Sequence, residues 1–250
     1  MDLLGIDVGG TGIKGGIVNG DQGELVGERL RLETPQPATP ESVTNTVARV
    51  VQHFNWRGAG GAGFPAVVRH GIVHTASNIE PSWIGCDVQG MFNKATGCDF
   101  SVHNDADVAG LAEIRYGAGR GCNGVVLVIT LGTGIGSALF TGGRLVPNTE
   151  FGHIEMDGRA AERRAADSVR TRKKLSWKKW AERVDAYLHR LDFYLSPDLI
   201  IIGGGVSRKH ENFLPLLTVD TEVVPAMLRN EAGIVGAACA SANLPNPPGH

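Results

Sequence analysis

Two stretches of this chain carry residues suited to holding phosphate. Asp7-Val-Gly-Gly-Thr-Gly-Ile-Lys14 closes an apolar run, and its tetrapeptide Gly10–Ile13 returns unchanged as Gly132–Ile135 after a second apolar run, Val125–Leu131. Glycine lets a backbone turn tightly and present successive N–H groups to an anion. The first stretch contains a nominal G-x-G-x-x-G at Gly10, Gly12 and Gly15. A dinucleotide site needs that motif to open a helix, whereas strand and turn residues follow here. The chain has no Gly-Lys pair, so a Walker loop is excluded. What remains is a β-turn forming an anion nest from Gly9, Gly10, Thr11 and Gly12, with Asp7 facing phosphates through a water-bound Mg²⁺ ion and Lys14 adding charge. A Gly-rich hairpin around a buried Asp is the plainer alternative.

Three further groups have chemical potential. Asn104-Asp105 stands where a short strand meets a helix. Both types are preferred helix caps, and a carboxylate at such a junction also suits a general base for a substrate hydroxyl. The two roles are compatible, since a backbone fixed by Asn104 would aim Asp105. Glu150-Phe-Gly-His153 follows a Pro-Asn turn. Carboxylates and an imidazole match vicinal sugar hydroxyls better than a metal, which would want more N or S ligands nearby. A surface loop with ordinary charges is the competing reading. The third group is the glycine run Gly203-Gly204-Gly205, which closes an apolar strand.

These residues need a scaffold, and the hydrophobic pattern supplies one. Leu3–Val8, Gly15–Val18 and Leu25–Leu32 predict an antiparallel meander, with Asn19-Gly20-Asp21 as a turn. Thr39 followed by Pro40 predicts a helix start, and Val43, Val47, Val50, Val51 and Phe54 give that helix an apolar stripe. Ala59–Val68 predicts a Gly-rich strand and turn, with an irregular stretch after it through Trp83. Ser101–His103 predicts a short strand, and a helix should follow to Gly117. Val125–Leu131 and the run to Phe140 predict a second hairpin. Ser176 should cap an amphipathic helix whose buried face carries Trp177, Trp180, Ala181, Val184, Leu188, Leu191 and Leu195. Leu199–Ile202 predicts a buried strand, and a small-residue helix is expected from about 233 to 242. The repeated tetrapeptide lies between two strands both times, so two related lobes with a cleft between them are expected. The lobes are drawn at 1–103 and 104–232, with a C-terminal helix of about 233–250 packing back on the first.

Composition agrees with a globular α/β protein: 42% hydrophobic and 20% charged residues, with 35 glycines gathered at strand ends. The net charge of −2 is unevenly spread. Residues 159–183 hold ten bases against three acids, a local +7 that leaves −9 elsewhere. Such a segment is by default a solvated face, and otherwise an attractor of polyanions. No nucleic-acid module accompanies it, and Trp177 and Trp180 look like core by their spacing, so no nucleic-acid partner is expected; a chain of phosphates is the other candidate. Four cysteines form no C-x-x-C pair, and the start of the sequence has no basic n-region or cleavage site. With no 18-residue apolar run, no membrane partner is expected, and the cytoplasm is the expected location.

On these residues the chain resembles the ROK family of sugar kinases, within the actin/hexokinase-like (ribonuclease H-like) α/β fold, and among them the polyphosphate glucokinases. The resemblance is carried by Gly5–Lys14, Gly63–Ala66, Ala76–Asn78, Asn104–Gly110, Leu131–Gly136, Glu150–His153 and Ile202–Gly205, in family order. It implies a two-lobed fold with a central cleft and transfer of a phosphoryl group to the 6-hydroxyl of glucose, with mannose a further candidate. It implies Asp105 as catalytic base, and Asn78, Asn104, Glu150, His153 and Glu162 as sugar ligands. Asp7–Gly12 and Gly132-Thr133-Gly134 become the phosphate loops, and Gly203–Gly205 the turn beside a nucleotide base. Polyphosphate, ATP or both are the implied donors, Mg²⁺ the cofactor and a homodimer the implied assembly. Most ROK proteins follow the Gly-His element with a C-x-C-G-x-x-G-C zinc cluster. Residues 154–170 hold no Cys, so no structural zinc is expected, as in the polyphosphate glucokinases. Ala66 stands where many relatives have Gly. The family also contains sugar-responsive repressors with an added N-terminal helix-turn-helix, and six residues before Asp7 leave no room for one.

Overall fold

A computed structural model describes residues 1–77 and 79–242. Asn78 and the 243–250 part of the expected C-terminal helix lie outside the described residues. The chain is a mixed α/β protein built on two principal sheets. It divides into two compact units, one of Met1–Ala112 with the segment that begins at Glu231, the other of Glu113–Asn230. The division falls inside a helix, later than the lobe boundary drawn from the sequence at 103/104, so Asp105 belongs to the first unit.

In the first unit β1 (Asp2–Val8) pairs antiparallel with β2 (Gly12–Asn19), which in turn pairs with β3 (Glu24–Leu25) and β4 (Leu30–Glu33). The single strand expected over Leu25–Leu32 is thus two, interrupted where Gly27 adopts φ +82°. Helix α1 (Pro40–His53) starts as its sequence dictates: Thr39 Oγ1 accepts from the Ser42 N–H at 3.3 Å, and Val43, Val47, Val50 and Val51 face inward. β5 (Ala59–Phe64) runs parallel to β1, and a small hairpin follows, β6 (Val68–Arg69) and β7 (Ile72–Val73). Helix α2 (Val88–Thr96) is not among the elements expected from periodicity. It buries Val88 and Phe92 alone, too few apolar positions for a periodic signal. Its ends are nonetheless marked by type, with Asp87 as N-cap and Gly97 left-handed at the C-cap. β8 (Asp99–Asn104) pairs parallel with β5 and leads into α3 (Asp105–Tyr116).

The second unit repeats this plan. β9 (Val125–Leu131), β10 (Ile135–Thr141) and β11 (Arg144–Val146) form an antiparallel meander. A two-strand ribbon, β12 (Glu155–Met156) and β13 (Arg159–Ala160), turns through Asp157 and Gly158, both at positive φ. Short helices α4 (Glu162–Ala165) and α5 (Asp167–Arg172) precede the long α6 (Trp177–Leu195). Ser176 caps α6, and Trp180, Val184, Leu188 and Leu191 are buried against β9 and the parallel strand β14 (Leu199–Gly203). β15 (Val223–Pro225) completes the sheet. Its order, β11-β10-β9-β14-β15, is the order β3-β2-β1-β5-β8 over again. In both sheets a three-strand meander is followed by two strands parallel to its first member.

The last helix, α7 (Ala232–Ser241), belongs to the first unit. A Cβ on Gly5 would collide with the Ile234 carbonyl, and one on Gly61 with that of Ala237. The helix therefore lies backbone to backbone on β1 and β5, which explains both its small residues and the glycines of those strands. Among the described residues no helix is long and apolar enough to cross a membrane.

Candidate active site

The turn between β1 and β2 is shaped by where its carbonyls go. Gly9 O accepts from Thr34 Oγ1 at 2.5 Å, Gly10 O from Gln36 Nε2 at 3.4 Å and Thr11 O from Arg31 Nη2 at 3.0 Å. The Gly9 N–H closes the turn onto Gly12 O at 3.1 Å. The amides of Gly10 and Thr11, both exposed, donate to no described residue. With the oxygens held back, these N–H groups make a ready nest for phosphate. The turn between β9 and β10 obeys the same logic with different parts. Gly132 N–H donates to Gly134 O at 3.0 Å, and Ser168 at the start of α5 donates its N–H to Gly132 O at 3.0 Å and its hydroxyl to Thr133 O at 2.6 Å. The amides of Thr133 and Gly134 are left without a described acceptor.

The repeated tetrapeptide is not geometrically identical in its two settings. The first ladder closes at Val8↔Ile13 and leaves Gly9–Gly12 as the connection, whereas the second closes at Leu131↔Ile135 and leaves Gly132–Gly134. Gly203–Gly205 is brought to the second turn. Gly204 has φ +82°, and a Cβ there would stand 2.5 Å from Leu131 O. Gly205 faces open space.

Asp7 pairs across the ladder with Lys14, and the ammonium lies 2.8 Å from Asp7 Oδ2. The charge of Lys14 is therefore matched to Asp7 before any phosphate is considered. The Asp7 carboxylate rests on the first turn of α7, so close that a Cβ on Gly233 would come within 2.8 Å of its carboxyl carbon. Among the described residues no three His, Cys, Asp or Glu side chains gather into a metal cage. One carboxylate beside a phosphate nest nonetheless fits Mg²⁺, which keeps several waters and takes one or two carboxylates plus substrate phosphates. All four cysteines are free thiols.

Asn104 proves to be the cap and Asp105 the first residue of α3. Asn104 is 6% exposed; its Oδ1 accepts from the amides of Ala106 at 2.8 Å and Asp107 at 3.3 Å, and its Nδ2 donates to Ala66 O at 3.2 Å. It fixes the start of α3 and ties it to the Gly63–Ala66 segment. Asp105 is half-buried and Oδ1 accepts the Ala106 N–H at 2.8 Å. Burial holds the preceding His103 below the usual imidazole range, so it is neutral near pH 7.

In the second unit the structure assembles three of the five residues expected to meet sugar. His153 stands between two carboxylates, Nδ1 3.7 Å from Glu150 Oε2 and Nε2 3.7 Å from Glu162 Oε1. Glu150 is held in place by a strap onto β10: Ser137 Oγ donates to Thr149 O at 2.7 Å and accepts the Phe151 N–H at 2.9 Å. Desolvation raises the Glu150 carboxyl above the ordinary range, His153 opposes the shift, and Glu162 adds to it. The expected residues thus fall into two sets by unit: Asp7–Lys14 with Asn104 and Asp105, and Gly132–Gly134 with Glu150, His153, Glu162 and Gly203–Gly205.

Sequence spacing does not reveal Arg31, Thr34, Gln36, Ser168 or Gly233, which shape the turns and seat Asp7. Each acts across 20 or more residues of chain on a partner that only the folded sheet brings near. The strand-end position of their targets is the sole local signal.

The sequence pattern of the ROK family matches residues 3–167. The chain is 53% identical to the polyphosphate glucokinase of Mycobacterium tuberculosis over 95% of its own length and 90% of that protein. Among solved structures it matches an inorganic polyphosphate/ATP-glucomannokinase from Arthrobacter sp. strain KM at 51% identity and a TM-score of 0.93, covering 97% of this chain and 98% of that one. A ROK family glucokinase from Streptomyces griseus in complex with glucose and AMPPNP superposes with a TM-score of 0.82 over 98% of this chain and 100% of that one. At 23% identity that second likeness bears on the fold alone. This chain belongs to the ROK family, and its fold is the hexokinase-like α/β fold of that family.

Proposed function

We propose that the chain is a polyphosphate-dependent glucokinase, moving the terminal phosphoryl group of inorganic polyphosphate, and of ATP, to the 6-hydroxyl of glucose, with mannose as a second acceptor. The observation that carries this reading is the pair of hairpin turns with engaged carbonyls and open amides, in a ROK chain 53% identical to a polyphosphate glucokinase. Asp105 is the general base. The sugar oxygen bonds to phosphorus, the bond from phosphorus to the bridging oxygen breaks, and the hydroxyl proton passes to the Asp105 carboxylate. Asn78, Asn104, Glu150, His153 and Glu162 bind the sugar hydroxyls, while Asn104 also fixes the backbone that aims Asp105. The amides of Gly10, Thr11, Thr133 and Gly134 hold donor oxygens, and Gly203–Gly205 borders the base when ATP is the donor. Asp7 is the residue that would hold Mg²⁺ through water, the ion supplying charge neutralisation when bound, and the Lys14 ammonium 2.8 Å away keeps the carboxylate in place. A cytoplasmic homodimer is the assembly this reading carries with it.

Initial rates with glucose, mannose and fructose, each with ATP and with long-chain polyphosphate in the presence of Mg²⁺, test the proposal. Glucose 6-phosphate from ATP with none from polyphosphate would leave a strictly ATP-dependent glucokinase instead. Asp105→Asn should retain glucose binding and lose about 10²–10⁴-fold in turnover; near-normal turnover would remove Asp105 from the role of base.

A further inference from the structure

The long helix α6 has a face that its own chain leaves bare. Counting from Ala186 at about 100° per residue, Lys179, Glu182, Arg190 and Phe193 all fall within about 40° of it, and all five are exposed. Phe193 is 79% exposed, the most of any large hydrophobic among the described residues. Tyr194 beside it is 63% exposed, and the two rings meet edge to face at 5.3 Å. Lys179, Glu182 and Arg190 form no ion pair with any described residue. The flanks of the stripe differ. Arg183 donates to Arg164 O at 3.4 Å and His189 meets Thr218 Oγ1 at 3.1 Å, so both are engaged within the chain.

The residue types along this stripe are antisymmetric about Ala186. Four positions before it stands an acid, Glu182, and four after it a base, Arg190; seven before it stands Lys179, and seven after it Phe193. Turned end over end, the stripe therefore complements itself. Glu182 of one copy meets Arg190 of the other, and Lys179 meets the Phe193–Tyr194 ring pair, where an ammonium finds cation–π attraction. Ala186 falls on the two-fold axis, where a small side chain lets two helices approach most closely. The helix dipole points the same way. α6 carries Lys178 and Lys179 in its first turn and no base in its last, the reverse of what its own dipole favours. Beside an antiparallel copy, those ammonium groups lie next to the negative C-terminal end of the other helix. One patch that serves both sides of a contact is what a closed two-fold dimer requires.

We propose that the exposed face of α6 is the contact between two copies of this chain, packed antiparallel about Ala186. This names the surface of the homodimer in the reading above, and it rests on that assembly but not on the donor or acceptor of the reaction. Each dimer then holds two Glu182–Arg190 pairs and covers both aromatic pairs.

Sedimentation velocity on the full chain tests this, with Glu182→Arg, Arg190→Glu, the two combined, and Phe193→Ser/Tyr194→Ser. The unsubstituted chain should sediment as a dimer. Either single charge reversal sets like charges together at both ends of the contact and should raise the dimer Kd about a hundredfold. Removing the two rings should raise it about tenfold or more. Combining the reversals restores the complementarity and should bring Kd back within about fivefold of the starting value. An equimolar mixture of the two single variants should likewise form a heterodimer. A misfolded helix would not be repaired in this way, so loss without rescue in either combination overturns the antiparallel register and the proposal with it. A dimer indifferent to all of these substitutions keeps the homodimer and overturns the surface. A monomeric unsubstituted chain overturns both. If that monomer sediments with phosphatidylglycerol vesicles, and Phe193→Ser/Tyr194→Ser does not, the face belongs to a lipid surface instead.

Discussion

At the scale of single residues, Glu150 shows how a carboxylate proposed to bind sugar is held at a cost to stability. It is 34% exposed, its carboxyl is pushed up by burial, and a second carboxylate, Glu162, lies on the far side of His153. A carboxyl raised in the folded state binds its proton more tightly there than in the unfolded chain. Its stabilising contribution is therefore complete below the ordinary value of 4.5 and is lost as pH rises through the raised one. At neutral pH the ionised Glu150 is a cost, one that its proposed contact with sugar hydroxyls would justify. Glu150→Gln should accordingly raise the Tm at pH 7–8, with the gain shrinking to nothing as pH falls below the ordinary carboxylate range, and should raise KM for glucose at every pH. Thermal melts across pH and glucose titrations check both halves; a variant that loses Tm at neutral pH would show that burial is not what sets this group. Asn104 makes a related point. Its type and place before an apolar helix predict a cap, and the structure spends its oxygen and its amide on Ala106, Asp107 and Ala66.

At the scale of elements, the two hairpins carry the same tetrapeptide but are held by unrelated neighbours. The first turn has its carbonyls drawn back by Arg31, Thr34 and Gln36 from the strand and loop that follow, the second by Ser168 from a helix far along the chain. Ser168→Ala removes the hydroxyl bond to Thr133 O while keeping the amide bond to Gly132 O. A single such bond is worth about 1 kcal/mol, so KM for both donors should rise about fivefold with KM for glucose unchanged. Steady-state kinetics with each donor decide it, and a change confined to glucose would place Ser168 elsewhere in the chemistry. Strand ends, caps and the α6 stripe were legible because they are local or periodic: Thr39, Ser176 and Val125–Leu131 stand where their types predict. α2 and the break at Gly27 were not, because a nine-residue helix with two buried side chains and a two-residue strand leave almost no period to read.

At the scale of the whole molecule, a +7 segment lies in a chain whose remainder carries −9. Condensed phosphate presents many closely spaced charges, whereas ATP presents few, and salt screens the larger sum more severely. Raising the salt from about 0.05 M to about 0.3 M should therefore raise KM for long polyphosphate several-fold more than KM for ATP. Initial rates over a salt series test this, and parallel curves for the two donors would mean that the basic segment takes no part in choosing between them.

Taken alone, the sequence determined the longer strands and helices, the repeat and the residue types able to do chemistry, because alternation, helical period, caps and glycine turns are properties of neighbouring residues. The shared strand order of the two sheets was foreshadowed by one repeated tetrapeptide, since each copy had to sit between an apolar strand and its hairpin partner. Tertiary structure decided which of those residues are free to act. It spent Lys14 on Asp7 and Arg170 on Trp177, brought His153 between Glu150 and Glu162, and left Arg159, Arg163, Arg172 and Lys173 uncompensated around one cavity. Charge pairing depends on distances across strands and helices remote in the chain. No spacing along the backbone encodes them, which is why the ten bases counted along one segment separate into paired and unpaired only when folded.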